Sequence, residues 1–460
     1  MPRINACTII IAALLYVLTA GVTLRDRLLI ATLHRIERTA YFEPSARELF
    51  EGAMTGMIDV LSDEHGDYYS MYIPSSGQSD YQDELDNRYE GLGLALRIYG
   101  EGEEKEVFIT YPRHNSPAHR AGLRSGSQIM QIDGTSLEDK SGEEILGLLR
   151  QNQKPGARLS VVPFGQTEPQ EVLLHREKIQ SDSVEGDYFD SDKRVFHLET
   201  LPKIGYIRIT SFSTSTAKEF GDALDSMMQS GSESFVLDLR DNSGGDLRTC
   251  LQIARMLMKP SSETGNVIVT VRDRNGMKRF FQQRYTLIEG TQQCTLPMVV
   301  LIDGDTASSS EILAAALQDH RRATVVGVRS FGKGVIQSIV DLPFQSGMLQ
   351  LTNEEYRRPS GGKIHRKLFY DTASDEWGII PDKIVELSVA ERSAVMEYRS
   401  LRSNVVTSER SAVLEQFRRR IVEESDSESE PTAFAGSAPY YDAQIEAAIQ
   451  ILLGTENVHD

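Results

Sequence analysis

The residues of this chain most suited to chemistry are three serines and a lysine. Ser308, Ser309 and Ser310 follow an apolar run and open a helical pattern. Lys333 lies between two glycines at the end of another apolar strand. A nucleophile at a helix N-terminus gains from the helix dipole and from free backbone N–H groups. These residue types favour a hydrolytic nucleophile with its base, and a serine-rich helix cap beside a solvated lysine is the equal alternative.

Lysine is the better candidate for the base, because the nearby histidines have unsuitable surroundings. His320 follows Asp319 at the end of the helical pattern, and His365 lies in a basic stretch, which argues against a Ser-His-Asp triad. To accept a proton, Lys333 must be neutral. Burial would have to lower its pKa from about 10.4 toward about 7–8, at a cost on the order of 4 kcal/mol.

A second segment supplies donors for a developing negative charge. The apolar run 234–239 predicts a buried strand, and the polar residues 240–243 separate it from Gly244 and Gly245. Glycines at a strand end free backbone N–H groups to hold an oxyanion. A simple tight turn is the alternative.

A groove for a peptide terminus is predicted further upstream. Two glycines precede an alternating strand, and such glycines let backbone N–H groups turn inward to hold a carboxylate. The strand offers an edge to an added peptide strand. A helix over 142–151 presents apolar residues, including Leu146, to the same groove. The predicted peptide contacts are Gly91, Leu92, Gly93, Leu94, Leu96, Ile145 and Leu149.

The segment between this strand and helix resembles the PDZ domain. It contains Ser-Pro-Ala at 116–118, Ala-Gly-Leu at 121–123 and Ile-Asp-Gly at 132–134. Ser127 stands where the PDZ pattern usually has aspartate. The resemblance implies a domain that binds C-terminal peptides.

The whole order of segments resembles the carboxyl-terminal processing peptidases, a family of serine proteases. The specific motifs are Thr-Ala-Ser-Ser-Ser-Glu-Ile at 306–312 and Phe-Gly-Lys-Gly-Val-Ile-Gln at 331–337. The resemblance implies that Ser308 is the nucleophile, that Lys333, 25 residues later, is its base, and that Gln337 orients the lysine.

The resemblance also implies an oxyanion hole, and it has two departures. The backbone N–H groups of Ser309 and Gly244 would hold the oxyanion. Ser309 stands where the family more often has alanine, but only its backbone is needed. Asp303 stands where asparagine is frequent, and the chain beyond about residue 390 has no clear family match.

The predicted fold is an α/β and mostly-β multidomain chain, with a helical N-terminal segment, a PDZ domain, an α/β protease core and a helical C-terminal extension. The helical N-terminal segment breaks at Pro44-Ser45, and residues 65–87 are predicted to form a loop or lid. The predicted domains are 1–25 for a signal anchor or signal peptide, 26–87 for the helical segment, 88–178 for the PDZ domain, 179–390 for the protease core and 391–460 for the C-terminal extension with its acidic linker.

Composition excludes several classes of function. The 460 residues carry a net charge of −18, which disfavours a binder of nucleic acid. Half of that excess lies in residues 421–460, which contain nine acidic residues and no lysine or arginine. The three cysteines have no metal-ligand spacing, so neither a metal nor a cofactor is predicted. Cys250 and Cys294 either form a disulfide or remain isolated buried thiols.

The N-terminus predicts export. Residues 5–24 carry no charge, and twenty residues span about 30 Å as a helix, the thickness of the bilayer core. An uncleaved membrane anchor is favoured over a cleaved signal peptide. The catalytic domain would then lie in the cell envelope, on the periplasmic side, and would be secreted if the segment is cleaved.

The sequence thus predicts an exported serine endopeptidase that acts on proteins or peptides with free C-termini. The alternative is a catalytically silent PDZ-bearing protein that binds peptides. The helical segments at 26–62 and 440–453 could mediate a homo-oligomer. For the acidic tail we favour a solvated linker over 423–439 that ends in a short packing helix; alternatively, Ile451-Leu452-Leu453 docks on the chain's own body or on a second copy.

Overall fold

The computed structural model describes residues 23–99, 105–137, 140–150, 155–190, 193–262, 265–273, 283–287, 294–366, 377–405, 410–413, 415–416 and 442–455. The chain divides into two compact units. The first comprises the described residues up to Gln78 together with 337–352, and the second comprises 79–336 and the residues from 353 onward.

Two helices and a short strand form most of the first unit. Helix α1 spans Leu24–Thr39, helix α2 spans Ala46–His65, and strand β1 spans Met71–Ile73. The predicted break at Pro44-Ser45 is confirmed, because the Ser45 hydroxyl accepts the Glu48 N–H and caps α2. Strand β1 pairs antiparallel with residues 348–350. The described residues of both helices include none that is buried.

The loop predicted over 65–87 is wrong in part. This segment contains β1 and a short helix α3, Gln78–Leu85. Its polar and aromatic composition lacks the repeated apolar positions by which a helix of this length is recognised. The Thr214 hydroxyl donates to Asp86 just beyond α3, which anchors the end of this segment to the protease core.

A sheet and two short helices form the next domain. The strand order is β3-β4-β5-β7-β8, with β6 paired to β5, so β3 lies at an edge of the sheet. The core holds buried residues from the strands and helices, among them Ile109, Ile132 and Leu159. Strand β2 pairs with β9. The elements are β2 Arg88–Gly91, β3 Leu94–Tyr99, β4 Glu106–Pro112, α4 Pro117–Arg120, β5 Gln128–Ile132, β6 Thr135–Ser136, α5 Gly142–Leu149, β7 Gly156–Val162, β8 Gln170–His175 and β9 Glu177–Gln180.

The largest domain is built on a six-stranded sheet in the order β10-β13-β14-β17-β18-β21. The pairs from β13 through to β21 are all parallel, which confirms the buried parallel strands predicted over 234–239 and 298–302. The elements are β10 Val184–Glu185, β11 Tyr188–Asp190, β12 Lys193–Val195, β13 Ile204–Ile209, α6 Thr216–Gln229, β14 Ser234–Asp238, α7 Leu247–Leu257, β15 Val267–Asp273, β16 Gln283–Thr286, β17 Met298–Ile302, α8 Ser309–Asp319, β18 Thr324–Gly327, β19 Val335–Asp341, β20 Met348–Arg357 and β21 Lys383–Ile384.

The two faces of this sheet bury alternate residues of each strand. Val300 and Ile302 of β17 pack with helices α6, α7 and α8 on one face, and Val299 and Leu301 face the other side. This period of two is what a strand buried on both faces requires. Strand β15 pairs antiparallel with β16 and with residues 354–357 of β20.

Helices of the C-terminal extension complete the second unit. Helix α9 spans Val389–Asn404 and helix α10 spans Ala443–Leu452, and residues 410–413 and 415–416 are also helical. Ala448 and Ile449 of α10 are buried against the second face of the large sheet, and Ile451 and Leu452 are partly buried there. This helix therefore docks on the chain's own body, as one of the two predictions for the tail required, although Leu453 remains 59% exposed. The predicted linker 423–439 lies outside the described residues.

Two further predictions concern the termini and the cysteines. Among the described residues, no helix has both the length and the apolar character needed to cross a membrane. The anchor predicted over 1–25 lies outside the described residues except for its last three. Cys250 and Cys294 are both buried and unpaired thiols, so the alternative of isolated thiols is the one observed.

Candidate active site

The nucleophile predicted from the sequence lies on a sharp turn between a strand and a helix. Strand β17 is buried throughout, and Ser308 caps α8 with a backbone φ of 58° and ψ of −120°. A non-glycine residue seldom adopts a positive φ, and strain of this kind gathers at functional sites. The Ser308 side chain is half-buried, and its hydroxyl lies 3.0 Å from the hydroxyl of Tyr356.

The neighbouring serines are committed to structural bonds. Ser309 donates through Oγ to the carbonyl of Gly245 at 2.8 Å, and Ser310 donates to the carbonyl of Asn242 at 3.0 Å. Both side chains are buried. The Ser308 hydroxyl, by contrast, bonds to the hydroxyl of Tyr356.

A buried glutamate joins the nucleophile to the lysine. Glu311 accepts the backbone N–H of Ser308 at 2.9 Å and that of Lys333 at 2.8 Å. It also accepts the Ser330 hydroxyl at 2.6 Å and the Gly332 N–H at 2.8 Å. One carboxyl group thus fixes the spacing of the serine turn and the lysine loop. Sequence reasoning missed this role, although the Ser-x-x-Glu spacing of a capping box signals it.

Burial sets the ionisation of both groups. It raises the pKa of Glu311 to about 7, even though the four hydrogen bonds favour the carboxylate. Burial also lowers the pKa of Lys333, and the nearby Glu311 charge opposes that shift. A lysine that acts as a general base requires a lowered pKa, and the pKa of Lys333 is shifted in this direction. In this structure the Ser308 hydroxyl bonds to the Tyr356 hydroxyl.

The glycine turn lies directly against the nucleophile. Gly244 has φ 103°, and a Cβ at this position would lie 2.7 Å from the Ser308 Cβ and 2.9 Å from the Ser309 backbone N. The two predicted oxyanion donors are therefore brought together beside Ser308. The Gly244 N–H donates to Asn242 Oδ1 at 2.9 Å. Asn242, which the sequence reasoning did not single out, also donates to the Ile209 carbonyl at 2.8 Å.

Two family models match this chain. The model of peptidase family S41 matches residues 203–385, and that of the PDZ domain matches residues 82–161. A carboxyl-terminal-processing protease of Picosynechococcus is 32% identical over 320 residues, which cover 69% of this chain and 67% of the relative. The chain belongs to the carboxyl-terminal processing proteases of peptidase family S41.

Two further relatives define the extent of this likeness. The carboxyl-terminal-processing protease of Synechocystis is 34% identical over 296 residues, covering 64% of this chain and 62% of that protein. The chain thus spans about two thirds of the length of these curated relatives. A crystal structure of a Bacteroides fragilis protein assigned to the S41 proteases shares the fold, with a TM-score of 0.51 at 15% identity over 86% of this chain and 97% of that one.

Gln337, the third residue implied by the S41 resemblance, lies in the first unit. Its Nε2 donates to the Thr352 hydroxyl at 3.1 Å, and that hydroxyl donates to Asp67 at 2.9 Å. A carboxylate only accepts, so the Thr352 oxygen must accept from the amide nitrogen of Gln337. The amide oxygen then points away from Thr352 and keeps its acceptor capacity. That Gln337 orients Lys333 stays a prediction.

The predicted peptide contacts of the PDZ domain divide into core and groove. Ile145 is fully buried and Leu92 is 5% exposed, so both side chains belong to the domain core. Leu94, Leu96 and Leu149 are partly buried. Leu146 on α5 is 41% exposed, on the same helix as Leu149.

Close packing surrounds the two glycines of the predicted groove. A Cβ on Gly93, whose φ is 79°, would lie 2.0 Å from the Ser116 Cβ. Glycine is therefore required here, and Ser116 belongs to the Ser-Pro-Ala motif. Gly91 ends β2, and both glycines are buried. Strand β3, which follows them, carries the sheet edge that a peptide strand could join.

Three carboxylates near the active site could in principle hold a cation. Ligand atoms of Asp241, Asp303 and Asp305 all lie within 4.8 Å of one another. The guanidinium group of Arg392 contacts all three, and Arg399 pairs with Asp241. The arginines already supply the positive charge that such a cluster needs.

Proposed function

We propose that the chain is an exported serine endopeptidase that cleaves protein substrates near their C-termini with a Ser-Lys dyad. The observation that carries the proposal is a joint placement. Ser308 lies on a strained turn, and Gly244 lies against the Ser308 Cβ. The backbone N–H of Lys333 donates to Glu311, which also accepts the backbone N–H of Ser308. This placement supports a nucleophile, oxyanion donors and a base within one part of the protease core.

The reaction would begin at Ser308. Its hydroxyl leaves Tyr356 and attacks the scissile carbonyl, while the neutral Lys333 amine accepts the proton. The backbone N–H groups of Ser309 and Gly244 hold the oxyanion of the tetrahedral intermediate. Lys333 then returns a proton to the leaving amine, and water releases the acyl group by the reverse steps. Gln337 orients the lysine through its amide oxygen.

The PDZ domain would select the substrate. A peptide C-terminus would pair with the edge of β3, and its carboxylate would meet the glycine loop. The half-buried Leu94, Leu96 and Leu149 favour an apolar terminal residue. Binding of the tail would admit the substrate to the protease core, so the domain would recognise or gate the chain to be cut.

Substitution of the dyad tests this function. Ser308→Ala and Lys333→Ala should each abolish cleavage of an unstructured polypeptide with an apolar C-terminus, measured by mass spectrometry of the products. Ser360→Ala and Lys363→Ala are matched controls on exposed residues and should cleave at the rate of the wild type. Full activity in Lys333→Ala would refute the dyad. Peptide binding without turnover in the wild type would support the alternative of a silent PDZ-bearing binding protein.

Location and assembly follow from the N-terminal segment. We propose that residues 1–25 direct export and anchor the protein in the membrane, with the catalytic domain on the periplasmic side. Fractionation with an antibody against the protease core tests this, and release in soluble form would indicate cleavage. The exposed apolar residues of α1, such as Leu28 and Leu29, are consistent with a homo-oligomer, which light scattering would reveal.

A further inference from the structure

One helix of the C-terminal extension contacts both catalytic turns. Asp241 precedes the oxyanion turn, and Asp303 and Asp305 lie in the turn that leads to the nucleophile. Arg399 of α9 pairs through Nη2 with Asp241. Arg392 of α9 pairs with Asp305 and lies 3.5 Å from a carboxylate oxygen of Asp241 and 3.6 Å from one of Asp303.

The two turns are bonded to each other at the same place. Asp303 Oδ1 accepts the backbone N–H of Asp241 at 3.1 Å and that of Thr306 at 3.0 Å. The Ala307 N–H donates to the carbonyl of Asn242 at 2.9 Å. A displacement of Asp241 or Asp303 therefore moves both the oxyanion donors and the nucleophile. Small displacements of this kind are costly in catalysis because reacting groups must meet within fractions of an ångström.

The carboxylates need the arginines. Three negative charges within 4.8 Å repel one another strongly in a half-buried site. Burial opposes the ionisation of Asp241, but Arg399 outweighs it and lowers the pKa of that carboxyl. Burial and the charge of Asp241 raise the pKa of Asp303. Removing an arginine would therefore leave repelling groups to spread the two turns apart.

The opposite face of α9 contacts the PDZ domain. Glu397 pairs with Arg97 at 2.7 Å, and Leu401 is buried in a cluster with Tyr99 and Phe108. Arg97 and Tyr99 belong to β3, the strand whose edge is open to a peptide. Alternate residues of a strand face opposite sides, so the side chains that meet α9 are those pointing away from Leu94, Leu96 and Ile98.

The helix geometry places these two sets of contacts on different faces. Residues seven apart, as Arg392 and Arg399 are, differ by only about 20° around a helix of 3.6 residues per turn. Glu397 and Leu401, four apart, share a face that lies about 160° away from the arginines. One rigid helix thus separates the peptide-binding strand from the catalytic turns and touches both.

We propose that Arg399 and Arg392 are positioning residues for the catalytic turns, and that helix α9 couples those turns to the peptide-binding strand of the PDZ domain. This inference rests on the proposed function, because the turns matter only if they carry the dyad and the oxyanion hole. It gives the C-terminal extension a role in the reaction.

The variant Arg399→Met tests the positioning role, and Arg402→Met is its control. Arg402 lies on the same helix and pairs with Asp187, away from the turns, with its side chain 16% exposed against 7% for Arg399. Arg399→Met should lower kcat by about tenfold to a hundredfold with KM nearly unchanged. Arg399→Lys, which retains the charge, should recover part of that loss. Arg402→Met should retain kcat in the fraction that remains folded.

A second arm tests the coupling to the PDZ domain. Glu397→Gln breaks the ion pair with Arg97 and leaves the catalytic turns untouched. It should change kcat for a polypeptide with an apolar C-terminal tail and should not change kcat for a short peptide amide that lacks a free carboxylate. Equal effects on the two substrates would overturn the coupling.

Hydrogen exchange separates this inference from the proposed function. In the Ser308→Ala background, Arg399→Met should speed exchange of the amides at 241–245 by about tenfold or more relative to Arg402→Met. This readout does not depend on cleavage, so an inactive wild type would refute the protease function alone. Equal exchange in the two variants, or an equal loss of kcat at equal melting temperature, would overturn the positioning role.

Discussion

Replacing Glu311 with glutamine should change how the stability of the protein depends on pH. The carboxyl group is fully buried, and burial raises its pKa to about 7 from an ordinary value of 4.5. The folded state therefore binds the proton more tightly than the unfolded state. The stability contributed by this raised pKa is complete below pH 4.5 and is lost as the pH rises through 7.

The size of the effect follows from the two pKa values. Their difference of about 2.5 corresponds to about 3 kcal/mol in total, at 1.36 kcal/mol for each unit. At pH 5 part of the unfolded population has already lost its proton, so about 2.5 kcal/mol of stabilisation disappears between pH 5 and pH 8. Glutamine does not titrate, and this term is therefore absent from the variant.

Urea unfolding at several pH values measures the effect. The wild-type site and Glu311→Gln are compared in the Ser308→Ala background, which prevents self-cleavage. The difference between their unfolding free energies should change by about 2.5 kcal/mol from pH 5 to pH 8. The protein with Glu311 should be relatively more stable at pH 5 than at pH 8. A difference that stays flat over this range would refute the reasoning.

Glu185→Gln is the control with the opposite sign. Burial alone would raise the pKa of the Glu185 carboxyl, but Arg208 overcomes burial and lowers it. A lowered pKa gives stability that is present above the unfolded value and lost only as the pH falls through the folded one. The difference in unfolding free energy between the wild-type site and Glu185→Gln should therefore stay nearly constant from pH 5 to pH 8.

Three further predictions have definite outcomes. Glu311→Gln removes the charge that raises the pKa of Lys333, so the acidic limb of the kcat/KM profile should move to lower pH. Gly244→Ala should lower kcat at least about a hundredfold, because the new Cβ would lie 2.7 Å from the Cβ of Ser308 and displace the oxyanion donor. A kcat within twofold of the wild type would contradict this prediction. A chain ending at residue 441 leaves the buried Arg240 without its partners Asp442 and Gln444. We expect this chain to lose about 3–5 kcal/mol of unfolding free energy, measured by urea unfolding. Unchanged stability would contradict the role given to helix α10.

Local sequence signals predicted where the candidate groups lie in the fold. Ser308 opens a helix, and Gly244 lies in the turn between strand β14 and helix α7, so each conformation is set by residues close by in the chain. The capping-box spacing also contained Glu311, but spacing alone does not say that its carboxyl reaches residues 330–333. That contact depends on how a later loop folds back, which no local pattern encodes.

Longer-range contacts escaped the sequence reasoning. Tyr356 bonds to Ser308 from 48 positions away, and nothing in its own segment marks it. Ile145 was expected in the peptide groove because apolar residues of a short helix look alike in sequence. Its burial shows that α5 places one apolar residue in the core and turns Leu146 outward, a division that depends on the angle at which the helix packs.

The tail illustrates why a charge count needs a structure. One of its nine acidic residues, Asp442, caps α10 and pairs with the buried Arg240 at 2.9 Å. Arg240 also bonds to Asp238 at 2.7 Å, on the strand that leads to the oxyanion turn. This acid therefore belongs to the protease core, although composition alone assigned it to a solvated extension.

The aspartate at position 303 gains a physical explanation from the same extension. An asparagine, frequent at this place in the family, would accept the N–H groups of Asp241 and Thr306 through its amide oxygen without adding charge. Aspartate adds a charge beside Asp241, and burial makes that charge costly. Arg392 of helix α9, 3.6 Å away, offsets it. Asp303 and Arg392 therefore make sense together, since the charge of Asp303 would be unfavourable without the arginine.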